Sequence, residues 1–188
     1  MDAAAATIMT DEADGVDLLR RAQSGDLAAF EGLVRRYERR VFLTALRLLG
    51  NHADAEDAAQ EVFFRLHRSL RRMDPDRDPA PWIYRITVNA CRDLARARPP
   101  AGSVEEPSAP GGTEEEIGRR ERRSLVARAL GSLPAKQRAA LVLRDIEGLS
   151  TREVAEVLGS SEATVRSQVS TGRVRVKQWI ERILRRRS

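Results

Sequence analysis

A proline- and glycine-rich run divides this chain in the middle and points to two helical domains on a tether. From Pro99 to Glu116 it holds four prolines, three glycines and no large apolar residue except Val104. Such a run buries too little surface to offset its ordering entropy, so a flexible linker is expected over 99–116. Residues 99–113 alone could span ~50 Å if extended. Apolar residues recur at helical spacing on both sides. The expected fold is all-α: two small helical domains joined by this linker, the C-terminal one containing a helix-turn-helix. The expected bounds are a disordered N-terminal extension over 1–15, a first domain over 16–98 and a second over 117–188.

The second domain carries the clearest motif. Between Ser150 and Lys177 the residues spell a short helix, a turn at Gly159-Ser160-Ser161 and a longer basic helix. Ser150 and Glu153 have the spacing of a capping box. Gly159 suits the left-handed residue that ends a helix, and Ser160 or Ser161 can cap the next one. Val154, Ala155 and Leu158 line one face of the first helix; Val165, Val169 and Val176 line one face of the second. The outward face of the second helix is polar: Glu162, Thr164, Arg166, Ser167, Gln168, Ser170, Thr171 and Arg173. In such a motif the second helix enters the major groove, where Arg pairs with guanine and Gln with adenine. A helical hairpin with a solvated polar face is the plainer alternative.

Charge follows the same division. The chain has 33 basic and 28 acidic residues. Residues 1–100 hold 16 of each, whereas residues 163–188 hold eight basic residues against Glu181 alone, a net of +7. A positive field on and after the second helix suits a polyanion, with salt-dependent binding. Thirty-one of the 33 basic residues are Arg, which a genomic compositional bias explains as well as forked phosphate contacts do.

In the first domain, Leu18, Leu19 and Ala22 open an amphipathic segment, and Asp26 is placed to cap the next helix. Phe30, Leu33, Val34, Tyr37, Val41, Ala45, Leu46 and Leu49 recur at intervals of three and four until Gly50. A third helix is expected to cap at Asp54 and to bury Ala55, Ala58, Ala59, Val62, Phe63, Leu66 and Leu70. Its other face carries Asp57, Gln60, Glu61, Phe64 and Arg65. An exposed Phe beside acids reads as a protein-binding surface, unless Phe64 fills a gap in its own core. The loop Met73 to Pro81 holds three prolines and leads into a helix that begins near Pro81. Ile83, Ile86, Ala90 and Leu94 are expected on the buried side of that helix. Arg85, Asn89, Arg92 and Arg96 form a basic side, with Trp82 and Tyr84 at its start. Aromatics among arginines suit single-stranded or distorted nucleic acid, where a base stacks on a ring. A core position for Trp82 is the competing reading.

Other classes find little support. No apolar run approaches the roughly 18 residues of a membrane span, and Met1 to Gly15 lacks the basic start of a secretory signal. Cys91 is the single cysteine, and with only His52 and His67 no metal cluster is expected. There is no phosphate-binding glycine loop and no nucleophile with a paired base, so neither an enzyme nor a cofactor is expected. A cytoplasmic location without membrane insertion fits. A helix-turn-helix repressor would explain residues 133–188 and leave the faces at 57–64 and 85–98 without a role.

Three motifs in this order resemble the sigma-70 family of bacterial transcription initiation factors, in its extracytoplasmic-function group. The stretch Asp54-Ala-Glu-Asp-Ala-Ala-Gln-Glu-Val-Phe-Phe-Arg-Leu is similar to region 2.2. Pro81-Trp-Ile-Tyr-Arg-Ile through Asn89 and Asp93 to Arg98 is similar to regions 2.3 and 2.4. Leu133-Pro through the helix-turn-helix is similar to region 4. The resemblance implies that Asp57, Gln60, Glu61 and Phe64 meet the beta-prime clamp of core RNA polymerase, with further contacts to its beta subunit. It also implies that Arg77, Trp82, Arg85, Asn89, Arg92 and Arg96 engage the -10 element and help open it. The outward face of the second helix would read the -35 element of promoter DNA, and an anti-sigma factor is an implied partner. The segment Ser170-Thr-Gly-Arg173 departs from the usual aromatic or His followed by Arg-Ala-Arg, and Gln168 stands at a frequently basic position. Gly172 inside the helix is expected to cost ~1 kcal/mol relative to Ala.

Overall fold

The computed structural model describes residues 14–97 and 113–186, and all regular structure among them is helical. Helix α1 is described over residues 14–23. It is followed by α2 (Leu27–Leu49), α3 (His52–Ser69), a short 3-10 turn (Leu70–Arg72) and α4 (Ala80–Ala97). After residue 113 come α5 (Glu114–Gly131), α6 (Ala135–Leu141), a π-helical turn (Val142–Ile146), α7 (Thr151–Leu158) and α8 (Glu162–Arg185). Of the expected extension over 1–15, residues 1–13 lie outside the described residues and Asp14 and Gly15 are already helical; most of the expected linker also lies outside them.

Local chemistry sets most helix ends. Asp26 accepts from the Ala29 amide and caps α2, which ends at Gly50 in the left-handed conformation. Helix α3 begins earlier than expected, because its cap is Asn51, not Asp54. The Asn51 side chain accepts from the Asp54 amide at 2.8 Å and donates to the Asp54 carboxylate at 2.7 Å. Asp54 is thereby the third residue of the helix and the partner of the cap. Helix α5 also starts earlier, and the triplet 114–116 expected in the linker is helical. Acids in a first turn are favoured by the helix dipole, and Glu115 pairs with Arg119 one turn on at 4.0 Å.

In the N-terminal module α2 packs across α3 and α4. Leu33 and Val41 of α2, Val62 and Leu66 of α3 and Ile83 of α4 are fully buried, with Leu19 of α1 closing one end. Each such side chain contributes about 1.5–3 kcal/mol relative to exposure. In the C-terminal module Leu143, Val154 and Val165 hold the same place, with Leu130, Leu133, Leu141 and Val169 around them.

The two modules touch. Helix α4 lies against α7, α2 lies against α5, α6 and the π turn, and one large cluster of buried residues runs through both modules. The buried side of α4 is also wider than expected. Tyr84, Thr87, Val88 and Cys91 are buried, whereas Ile86 and Leu94 are only partly so. Tyr84 therefore does not stand beside the loop with Trp82, as its sequence position suggested. On α7 Val157 is buried and Leu158 is half-buried. On α8 the buried face is Val165, Val169 and Gly172, with Val176 half-buried.

Candidate nucleic-acid and polymerase interfaces

The helix-turn-helix is built as its residues dictate. Ser150 Oγ accepts from the Glu153 amide at 3.2 Å, and the Glu153 carboxylate accepts from the Ser150 amide at 2.7 Å. Gly159 has φ +62°, which a side chain rarely tolerates, so the turn needs glycine there. Ser161, not Ser160, caps α8 by accepting from the Thr164 amide.

The residues proposed to read duplex DNA line the outer side of α8. Glu162, Thr164, Arg166, Ser167, Ser170, Thr171 and Arg173 are exposed. Arg166 is tethered one turn back to Glu162 at 3.2 Å. Arg173 makes a forked pair with Asp145 of the π turn at 2.6 and 2.7 Å, and hydrogen bonds to that carboxylate raise its pKa. Its guanidinium thus braces α8 against the preceding turn. Gln168 is half-buried and lines a groove between the modules together with Thr164, Arg92 and Arg96.

The second set lies on the N-terminal module. Arg77 and Arg85 are exposed, and Trp82 is half-buried between them in a recess closed by Pro79, Pro81, Glu156 and Val157. The Arg85 guanidinium stands 6.0 Å from the centre of the Trp82 ring, a stacked arrangement that a base could join or displace. The buried indole Nε1 of Trp82 has no hydrogen-bond partner. Asn89 is half-buried and accepts from Arg92 at 3.4 Å, while Arg92 and Arg96 are exposed. The structure thus puts Trp82 partly in the core, in a recess lined by Arg72, Arg77 and Arg85 and by the acids Asp74, Asp78 and Glu156.

The third set lies on α3. Asp57 and Gln60 are exposed on α3, Glu61 is half-buried, and Phe64 is 59% exposed. Phe64 does not fill a gap in its own core. Its ring lies 5.4 Å from the Arg68 guanidinium. Glu61 accepts from Arg65 at 2.7 Å, and Arg65 also pairs with Asp93 of α4 at 2.9 Å, which locks this face to the helix carrying the basic side. Its hydrogen bonds to these two acids, Glu61 first, raise the Arg65 pKa.

Cys91 sits among Ala45, Ala55 and Ala58, where small residues let α2, α3 and α4 approach closely. Burial pushes its thiol up to about 12, the range of an inert structural cysteine. Among the described residues no group of His, Cys, Asp and Glu has the makings of a metal site, and no helix is long and apolar enough to cross a membrane.

Several contacts had no signature in the sequence. Glu147, at the end of the π turn, reaches into the N-terminal module. Its Oε1 accepts from Thr44 Oγ1 at 2.7 Å and from Arg47 at 3.0 Å, and its Oε2 accepts from the Tyr84 hydroxyl at 2.7 Å. Arg138 of α6 donates to the Leu48 carbonyl at the end of α2, at 2.6 Å. Arg77 pairs with Glu156 of α7 at 3.5 Å. Each links residues far apart in the chain, so periodicity and capping rules are blind to it.

Comparison with known proteins gives the arrangement a family. Residues 33–99 match the model described as Sigma-70 region 2, and residues 123–176 match Sigma-70, region 4. The ECF RNA polymerase sigma-E factor of Escherichia coli is 33% identical over 183 residues, covering 90% of this chain and 95% of that protein. The ECF RNA polymerase sigma factor SigE of Mycolicibacterium smegmatis is 37% identical over 170 residues, covering 84% of this chain and 65% of the longer relative. Among solved structures, CnrH in complex with the cytosolic domain of CnrY superposes with a TM-score of 0.71 at 29% identity, over 89% of this chain and 97% of that one. RpoE of Bartonella quintana, solved with the anti-sigma factor NepR, shares the fold with a TM-score of 0.67 at 19% identity, over 81% and 96%. With region 2 on α2 to α4, region 4 on α5 to α8, and a relative matched over nearly its full length, the chain belongs to the sigma-70 family, as an ECF RNA polymerase sigma factor.

Proposed function

We propose that this sigma factor divides its work among the three faces described above. The exposed face Asp57, Gln60, Glu61 and Phe64 docks on the beta-prime clamp of core RNA polymerase, and the C-terminal module meets the beta subunit. Arg77, Trp82, Arg85, Asn89, Arg92 and Arg96 engage the -10 element and hold it open. Flipping a base costs a few kcal/mol, offset by stacking and by contacts in a pocket. The outward face of α8 reads the -35 element as duplex. The factor brings no catalytic group of its own, acts in the cytoplasm and is restrained by an anti-sigma factor. The modules that divide the work are the helices α1 to α4 and α5 to α8.

The observation that carries this reading is the union of two unlike nucleic-acid surfaces in one chain. A capped helix-turn-helix presents a polar helix suited to a major groove. A separate basic helix presents Arg85 stacked on a recessed Trp82, which suits an unpaired strand. A repressor that binds duplex DNA has no use for the second surface. The test is run-off transcription with core polymerase and paired variants. Arg166→Ala should lower initiation about tenfold, the loss of one bidentate base or phosphate contact, and leave core binding unchanged. Phe64→Ala should weaken core binding and leave folding intact, because the ring is largely exposed. Unchanged promoter use by the first variant and unchanged core affinity of the second would overturn the assignment.

A further inference from the structure

The boundary between the modules is unusual in its chemistry. A carboxylate from the C-terminal module, that of Glu147, is only 6% exposed, and every acceptor contact it makes is to the N-terminal module. Thr44 and Arg47 of α2 hold one oxygen, Tyr84 of α4 holds the other, and Arg40 stands 3.9 Å away. Gly148, with φ +82°, turns the chain sharply right after it, so the acid projects at the apex of a bend. A buried charge is stable only when paired and hydrogen-bonded, so Glu147 fits the closed arrangement of the two modules and no other part of the C-terminal module. Its partners come from two helices of the N-terminal module, so α2 and α4 must both be in register for the socket to exist.

Closure covers one part of the surface assigned to DNA, the recess around Trp82. Glu156 of α7 pairs with Arg77, and Val157 helps close the recess that holds the Trp82 ring. Gln168 of α8 turns toward Arg92 and Arg96 across the groove between the modules. The end of α4 and one edge of α8 thus face one another across this groove, while Arg166, Ser170 and Arg173 stay exposed.

We infer that Glu147 is an intramolecular latch: seated in the Thr44–Arg47–Tyr84 socket, it holds the two modules together in a self-masked state that must open before DNA is engaged. The masking rests on the reading of α4 as a DNA-binding helix, whereas the latch itself does not. When only an open fraction is competent, apparent affinity falls by that fraction, so a weaker latch tightens binding with no new contact to DNA.

The test uses the full chain without polymerase. Glu147→Ala and, from the other side of the socket, Thr44→Val combined with Tyr84→Phe are compared with wild type. Small-angle scattering reads the dimensions, and anisotropy of a fluorescein-labelled oligothymidylate reads single-strand binding. Far-ultraviolet circular dichroism selects variants that retain wild-type helicity. Charge-assisted hydrogen bonds of this kind are each strong enough to shift an equilibrium about tenfold. Both variants should therefore expand the molecule and tighten oligonucleotide binding about tenfold or more. Unchanged dimensions in both folded variants overturn the latch. Expansion without any gain in oligonucleotide binding overturns the masking, together with the assignment of α4 to DNA.

Discussion

Replacing Ser150 by Ala tests whether the two modules behave as one folding unit. The substitution removes the Oγ that accepts from the Glu153 amide at 3.2 Å and leaves the reciprocal bond from the Ser150 amide to the Glu153 carboxylate, at 2.7 Å, in place. Both bonds are exposed, so water replaces part of the loss and the cost is that of an ordinary cap, ~1 kcal/mol. The resulting shift in Tm depends on how much structure melts with the cap. A separate module of 60–100 residues shifts about 4–8 °C per kcal/mol, whereas a unit of 150–250 residues shifts about 2–4 °C. Because one large buried cluster runs through both modules, the smaller shift is expected, in a single transition. The assay is thermal unfolding followed by fluorescence in two single-tryptophan variants. Trp179→Phe leaves Trp82 to report the N-terminal module, and Trp82→Phe leaves Trp179 to report the C-terminal one. Coincident curves, each moved 2–4 °C by Ser150→Ala, fit this account. Separate transitions, with only the Trp179 curve moved, would refute the shared core.

Gly172→Ala should stabilise the protein by ~1 kcal/mol, since the new methyl would meet the Gln137 carbonyl at 3.7 Å and Leu141 at 3.8 Å, ordinary contact distances in a helix interior; a lowered melting temperature would contradict it. Alkaline pH should unfold the protein through its phenols. Burial first, then Asp78, pushes Tyr37 up to about 12, and burial first, then Glu147, raises Tyr84. The folded state prefers both neutral, so their stabilisation is complete below the unfolded value near 10 and is lost as pH rises from there through the folded values. Denaturant midpoints should therefore be flat with respect to these groups below pH ~10 and fall above it, and Tyr84→Phe should make the fall shallower; an unchanged fall in that variant would count against the assignment.

What was legible in the sequence was local. The Ser150 and Glu153 box, the Asp26 cap and the glycine stops at Gly50 and Gly159 act within one helical turn of the residues that signal them, and each formed as expected. The Asn51 cap was missed because Asn51 and Asp54 are both good cap residues three apart, and the choice turns on a mutual hydrogen bond visible only in three dimensions. The polar face of α8 was readable from spacing, but the pairing of Arg173 with Asp145 was not, and it makes that arginine a brace. Tyr84 donates to Glu147 of the opposite module and Val157 lines the recess around Trp82, so periodicity within either module could not place them. Glu147 shows this limit most plainly. In sequence it is a lone acid before a glycine; in the fold it joins helices about a hundred residues away.

The central claim is best tested by transcription of fragmented DNA from the source organism, using purified core RNA polymerase with and without this protein, and mapping the 5' ends of the transcripts. The account predicts defined start sites that appear only with the protein and share sequences at -10 and -35. Absence of such sites, with the protein alone binding specific duplex DNA, would contradict it.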